Sequence, residues 1–258
     1  MTASKLILAN QREGVLHLTI NRPQQKNALS KAMYQSLADQ LRLAAEDKAI
    51  RAVVIAGTEG CFTSGNDLQD FKDTTAPLDD ADPVLQFMYA LAECPKPVVA
   101  AVEGVAIGIG TTLLLHCDLV YAAPSARFCL PFVNLGLCPE YASTLLLPRL
   151  AGHARASEWL MLGEMFSSAD AAQAGLINAV VEDPMAIATE RAERLAKQAP
   201  EALKNTKALL KAPVLSRSKQ IIAEEFALFS KGLMGPEFKE AVAAFFEKRP
   251  ADFSKLKP

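Results

Sequence analysis

The sequence predicts an α/β domain with parallel strand pairing, followed by a region built from helices alone. Three observations carry this. Short apolar runs rich in small or branched residues, at 52–56 and 97–102, read as strands buried on both faces. They alternate with helical stripes, and strands joined by crossover helices pair in parallel. After Asp183-Pro184 the strand signals stop and only helical periodicity remains.

In chain order, residues 15–20 have the period of a half-buried strand, and Asn21-Arg22-Pro23 ends it. Leu29, Met33, Leu37 and Leu41 recur every four residues, which predicts a helix with one buried stripe. Residues 57–65 read as a loop, and 79–82, closed by Pro83, as an acidic mobile stretch. The strand at 97–102 runs into Gly104, Gly108 and Gly110 and then an apolar helix through His116. Residues 118–122 and 126–130 read as further short strands. Helical stripes follow at 187–197, 202–211, 221–233 and 238–248. Six of the twelve phenylalanines lie from Phe226 onward, so these helices need a surface to bury against, either the core of the same chain or another subunit, and a subunit interface is favoured. The division expected is a core domain over 1–195 and a helical oligomerisation region over 196–258.

Composition narrows the function classes. Lys plus Arg is 27 and Asp plus Glu 29, so there is no broad basic field for nucleic acid. No apolar run approaches the ~20 residues that span a bilayer, and no secretory or transit pattern opens the sequence. Ser254-Lys255-Leu256 spells a peroxisomal address, but Lys257 and Pro258 follow it. Five cysteines, an odd count with no C-x-x-C pair, read as reduced thiols, and a cytoplasmic location is expected. His17, His116 and His153 are widely spaced and show no ligand pattern, so no metal site is expected.

Two segments carry chemistry. Cys61 to Leu68 follows a buried strand and ends in a turn-prone cluster around Gly65, which allows a bend that turns a backbone N–H outward. Ala106 to Thr112 carries Gly108 and Gly110 at a strand–helix junction, where a ligand can approach the backbone. It lacks the third glycine of a dinucleotide fingerprint, and Asp118 comes too early to hold a ribose. Two N–H groups converging on one point would form an oxyanion hole able to stabilise the enolate of a thioester.

Together these segments resemble the enoyl-CoA hydratase/isomerase (crotonase) family. Asn21-Arg22-Pro23 with Asn27-Ala28-Leu29 matches its early CoA-binding turn, and residues 97–110 with Cys117-Asp118 its central strand–helix block. Residues 128–140, Gly175-Leu176-Ile177 and Glu247-Lys248-Arg249 match later signatures, so the likeness runs nearly the whole chain in consistent order. It implies a crotonase (ClpP/crotonase-like) fold of repeated ββα units with a C-terminal helical region. It implies a CoA thioester substrate, with CoA part of the substrate and no separate cofactor, and a homotrimer or dimer of trimers. By position, the N–H groups of Asn66 and Ile109 would form the oxyanion hole. Lys26, Ala28, Ser64, Asp67 and Leu68 would lie along CoA, and Lys248 would reach it across a subunit boundary.

The departures from the family pattern point to the reaction. Family hydratases use two glutamates, at positions held here by Thr112 and Phe132, and neither can act as a carboxylate base. Instead Leu137-Cys138-Pro139-Glu140 places a carboxylate just after a proline, at an expected helix start within an apolar stretch. The stretch resembles the Δ3-Δ2-enoyl-CoA isomerase branch, whose base occupies this position, and also a ring epoxide–oxepin isomerase branch with an aspartate there. One base suffices for a double-bond shift. Burial would raise the pKa of Glu140 and a helix start would lower it. Phe132, Leu137, Tyr141 and Thr112 are the expected acyl-pocket residues. Asp118 is expected to orient backbone, His116 to be packed, and Trp159 to be core. Alternatives to the isomerase are hydration or another crotonase-type reaction, and an acyl-CoA-binding protein without catalysis.

Overall fold

The computed structural model describes residues 6–72 and 74–256; Lys257 and Pro258, which follow the Ser254 to Leu256 tripeptide, lie outside them. Strands β1 (Ile7–Arg12) and β2 (Val15–Ile20) form an antiparallel hairpin. Its two-residue turn, Glu13-Gly14, has both φ angles positive, which matches the twist of a tight hairpin. Helix α1 (Lys31–Glu46) then leads to β3 (Ala52–Gly57), and α2 (Pro83–Ala92) to β4 (Val98–Val102). Next come β5 (Val105–Ile107), α3 (Ile109–Thr112), β6 (Leu119–Ala122) and β7 (Arg127–Cys129). They are followed by α4 (Ser143–Ala151), α5 (His153–Leu162), β8 (Phe166–Ser167), α6 (Ser168–Gln173) and β9 (Ala179–Val180). Helices α7 (Pro184–Ala196), α8 (Pro200–Leu233) and α9 (Pro236–Glu247) complete the chain.

The strands form two sheets. The larger has the order β1-β2-β3-β4-β6-β9 and is parallel from β2 onward; the smaller is β5-β7-β8. Along the chain, β4 enters the large sheet, β5 the small one, and α3 follows; β6, β7 and α4 repeat that order. These are the ββα units that the resemblance implies.

Alternation along β3 and β4 explains their unbroken apolar runs. Val53, Ile55, Val98, Ala100 and Val102 face the main core with α1 and α2, while Ala52, Val54, Ala56, Val99 and Ala101 face the small-residue stripe Ala188-Ala192-Ala196 of α7. A sheet covered on both faces has no polar side to show in its sequence.

Four expectations change. The stripes 202–211 and 221–233 are one 34-residue helix, α8, which continues through Pro213. That proline forfeits one backbone hydrogen bond, but the helix is held against α2 and α4. The apolar helix expected through His116 is a short α3 followed by a 3₁₀ turn, Leu113–His116. The acidic stretch before Pro83 is anchored: Asp82 is buried, caps α2 through the Val84 N–H, and pairs with Lys31 at 2.9 Å. Of the six late phenylalanines, Phe226, Phe229 and Phe238 join the chain's own main core, while Phe245, Phe246 and Phe253 are exposed. No described helix is long and apolar enough to cross a membrane.

Candidate active site

The first glycine turn follows the C-terminal end of β3, where parallel sheets gather their ligand loops, and the second leaves the C-terminal end of β5 in the small sheet. A bridge between Thr63 and Ala106, with Thr63 N–H donating to Val105 and Ile107 N–H to Thr63, ties the loops together. Gly65 (φ +92) lies so close that a Cβ there would meet the Ile107 carbonyl oxygen at 2.7 Å. Gly108 adopts φ 55, ψ −118, a conformation open to glycine alone. In that turn the Gly108 N–H donates to Cys129, and the Thr111 and Thr112 N–H groups both donate to Gly108. Among the described residues the N–H groups of Asn66 and Ile109 donate to no protein acceptor. The Asn66 side chain is held by the wholly buried Tyr34, whose hydroxyl donates to its Oδ1. Sequence reasoning missed Tyr34, although it sits beside Met33 on the buried side of α1.

The early turn docks on the first loop. Leu29 N–H donates to Gly65 and Ser64 N–H to Lys26, so Lys26, Ala28 and Ser64 are brought together. Buried Asn27 accepts from the Arg22 N–H and donates through Nδ2 to Thr58 and Cys61. Asp67 spends its carboxylate inside this structure: Oδ2 accepts from Arg22 at 2.6 Å and Oδ1 caps the 3₁₀ turn that starts at Leu68. Lys248 stands exposed at the C-terminal end of α9, in the left-handed conformation, far from these turns in sequence.

Glu140 is 1 % exposed, and its Oε1 accepts from the Thr112 hydroxyl at 3.3 Å. Burial pushes its carboxyl up to about 8, the charge of Glu225 adds to that, and the Thr112 hydroxyl opposes it. The competition between burial and helix start is thereby decided. Helix α4 begins at Ser143, after Glu140; the Ser143 N–H donates to the Glu140 backbone carbonyl, and the Ala142 and Thr144 amides are taken by another residue. Glu225 of α8 accepts from Ala142 N–H at 2.6 Å, from Thr144 N–H at 3.1 Å and from the Thr144 hydroxyl. Glu225 was not singled out from the sequence. The signal was there: it is a lone acid on a helical face with Ile222, Phe226 and Phe229.

The other expected residues fall into two groups. Phe132, Leu137 and Thr112 are buried around the Glu140 loop. Tyr141 fills space: it is 0 % exposed, its hydroxyl donates to Met88 at 2.9 Å, and its ring stacks on His116. His116 is packed, with Nε2 2.8 Å from the Tyr141 carbonyl oxygen, and burial drives its pKa down to about 3. Asp118 orients backbone, accepting from Val98 N–H and pairing with Lys207 at 2.6 Å. Trp159 is core and stacks on Phe166. Two surface cavities of about 340 and 310 Å³ lie beside Tyr89 and beside Leu115; Glu140 lines neither.

Comparison with known proteins agrees with this fold. The family model for enoyl-CoA hydratase/isomerase matches residues 10–256. The 2,3-dehydroadipyl-CoA hydratase and the 1,2-epoxyphenylacetyl-CoA isomerase of Escherichia coli are each 36% identical, over 97% of this chain and 98% of theirs. Enoyl-CoA delta isomerase 2 of Rattus norvegicus is 31% identical, over 96% of this chain and 65% of its own. The solved structure of OdaA from Pseudomonas aeruginosa is 49% identical, with a TM-score of 0.91 over 94% of this chain and 99% of that one. An enoyl-CoA hydratase/isomerase from Pseudoalteromonas atlantica is 42% identical, with a TM-score of 0.92 over 96% and 100%. With the fold, the paired glycine turns and near full-length similarity in agreement, the chain belongs to the enoyl-CoA hydratase/isomerase family and has the crotonase fold.

Proposed function

We propose that the chain is a Δ3-Δ2-enoyl-CoA isomerase in which Glu140 is the base and the N–H groups of Asn66 and Ile109 hold the thioester oxygen. The observation that carries the proposal is a buried carboxylate beside the second glycine turn. Glu140 is buried against Thr112, while Thr112 and Phe132 stand where family hydratases carry glutamates. In the reaction, ionised Glu140 removes a proton from C2 of a 3-enoyl thioester. The electron pair delocalises into a dienolate whose oxygen is held by the two amides. The protonated acid then delivers the proton at C4, leaving the double bond at C2–C3 and the carboxylate restored. Nothing is oxidised and no water is consumed. Lys26, Ala28, Ser64, Asp67 and Leu68 lie along the CoA moiety, Phe132, Leu137 and Thr112 around the acyl end, and CoA is part of the substrate. Exposed Phe245, Phe246, Met161 and Met165 suit burial between copies in a trimer or pair of trimers.

Replacing Glu140 by Gln keeps its shape and removes the base. Turnover of 3-enoyl-CoA should fall by roughly 10²–10⁴, and undiminished turnover rules out the assignment. Hydration is the second reading, favoured by the similarity to 2,3-dehydroadipyl-CoA hydratase. Incubation with 2-enoyl-CoA separates the two: a 3-hydroxyacyl product formed as fast as isomerisation would select hydration.

A further inference from the structure

We infer that Glu225 is a positioning residue for Glu140: its carboxylate, reaching across from α8, clamps the backbone turn that aims the base inward. The inference rests on the reading of Glu140 as the base. Tyr141 and Ala142, which follow Glu140 directly, have φ values of 63° and 55°. Two consecutive non-glycine residues in the left-handed region are costly and persist only where their surroundings impose them. Here three donors converge on one carboxylate. Ala142 N–H lies 2.6 Å from Oε2, and Thr144 gives both its N–H, at 3.1 Å, and its hydroxyl to Oε1. Glu225 is 6 % exposed, so this is a built contact between distant parts of the chain, 83 residues apart at Ala142. A helix start would ordinarily be capped from the preceding turn. That Glu225 caps it instead leaves the Glu140 carboxyl free of the helix amides.

The clamp also brings a second negative charge near the base. The groups facing Glu140 are Thr112 from α3, Tyr34 from α1, Glu225 from α8, and Cys138 and Tyr141 on its own loop. Those facing Glu225 are Thr144, Ala142, Cys138 and its helix neighbour Glu224. Among the described residues, no cation is one of them. Glu225, held by its donors, therefore makes Glu140 a stronger base than burial alone would.

The test is Glu225→Gln, assayed as kcat and KM for 3-enoyl-CoA across pH beside wild type and Glu140→Gln. The variant removes the charge and the acceptor for Ala142. We expect kcat to fall by about tenfold or more with KM little changed, as for a misplaced base. The acid limb of kcat/KM should move toward lower pH by about half a unit or more, because a like charge is gone. A limb that stays in place with kcat near wild type overturns the inference. If Glu225→Gln does not fold, Thr144→Val removes one donor and keeps the carboxylate. It should lower kcat several-fold at constant KM, and an unchanged kcat overturns the inference. An active Glu140→Gln would instead sink the base assignment itself, so the two failures are distinguishable.

Discussion

The sharpest prediction concerns Thr112, because its effect has a sign opposite to that of Glu225. Thr112→Val is nearly isosteric at a position that is 0 % exposed, and it deletes the hydroxyl that donates to Glu140 Oε1 at 3.3 Å. That bond stabilises the carboxylate more than the acid, so it lowers a pKa that burial and Glu225 have raised to about 8. A hydrogen bond to a charged group contributes ~1.5–3 kcal/mol. At 3.3 Å this one is long, so about 1 kcal/mol is the fitting magnitude, or roughly 0.7 of a pH unit. The ionised base drives the first step, so kcat/KM for 3-enoyl-CoA should rise with pH toward a plateau, half complete near 8 in wild type. In Thr112→Val the half-point should move alkaline by about 0.5–1 unit, with the plateau largely kept. A half-point that stays put or moves acidic refutes the role given to this hydroxyl, and a wild-type profile flat from pH 6 to 9 would refute Glu140 as the titrating group.

Three further outcomes follow. Both buried glutamates hold protons in the folded chain that the unfolded chain releases above the ordinary 4.5, so stability falls as pH rises toward about 8. Glu140→Gln should therefore raise the melting temperature at about pH 9 and do little at about pH 5; equal gains at both would contradict the burial argument. Gly108→Ala meets no atom within 4 Å of the added methyl but must hold φ 55. Its cost is thus in the backbone beside Ile109, and kcat should drop by roughly 10² with the fold intact by circular dichroism. Arg22→Ala removes the 2.6 Å pair with Asp67 and the bond to the Ala28 carbonyl. It should destabilise by about 1–2 kcal/mol in thermal or urea unfolding and raise KM for acyl-CoA far more than it lowers kcat.

Much of the fold was legible because burial leaves a mark on composition. The runs at 52–56 and 97–102 are apolar at every position since α7 covers one face of the large sheet and the main core the other. Strands β5, β8 and β9 were not legible. They are two or three residues long and are defined by pairing, not by any periodicity of their own. Helix α2 was masked by the acidic stretch before it, whose Asp82 turned out to be its cap. In the proposed site, the glycine turns and Glu140 stand out in the sequence because each breaks a local pattern. Tyr34 and Glu225 showed at most that they were buried, since their roles exist only once α1 and α8 have been folded onto loops 32 and 83 residues away.

The position of Glu140 shows why its sequence neighbourhood alone could not fix its chemistry. A glutamate after a proline at the mouth of a helix would ordinarily lie among the free amides of the first turn, which favour its ionised form and weaken it as a base. In this chain two of those amides are satisfied from outside. Glu225 takes the Ala142 and Thr144 N–H groups, and the helix begins only at Ser143. Glu140 is left one turn early, in an apolar wall, with one long hydrogen bond and a neighbouring negative charge. Removing an α-proton from a thioester requires a carboxylate with a high proton affinity, and returning that proton to C4 requires that it not be lost to water. In the role proposed for Glu140, burial would supply both, at a cost in stability that grows as pH rises through the window set by the two glutamates.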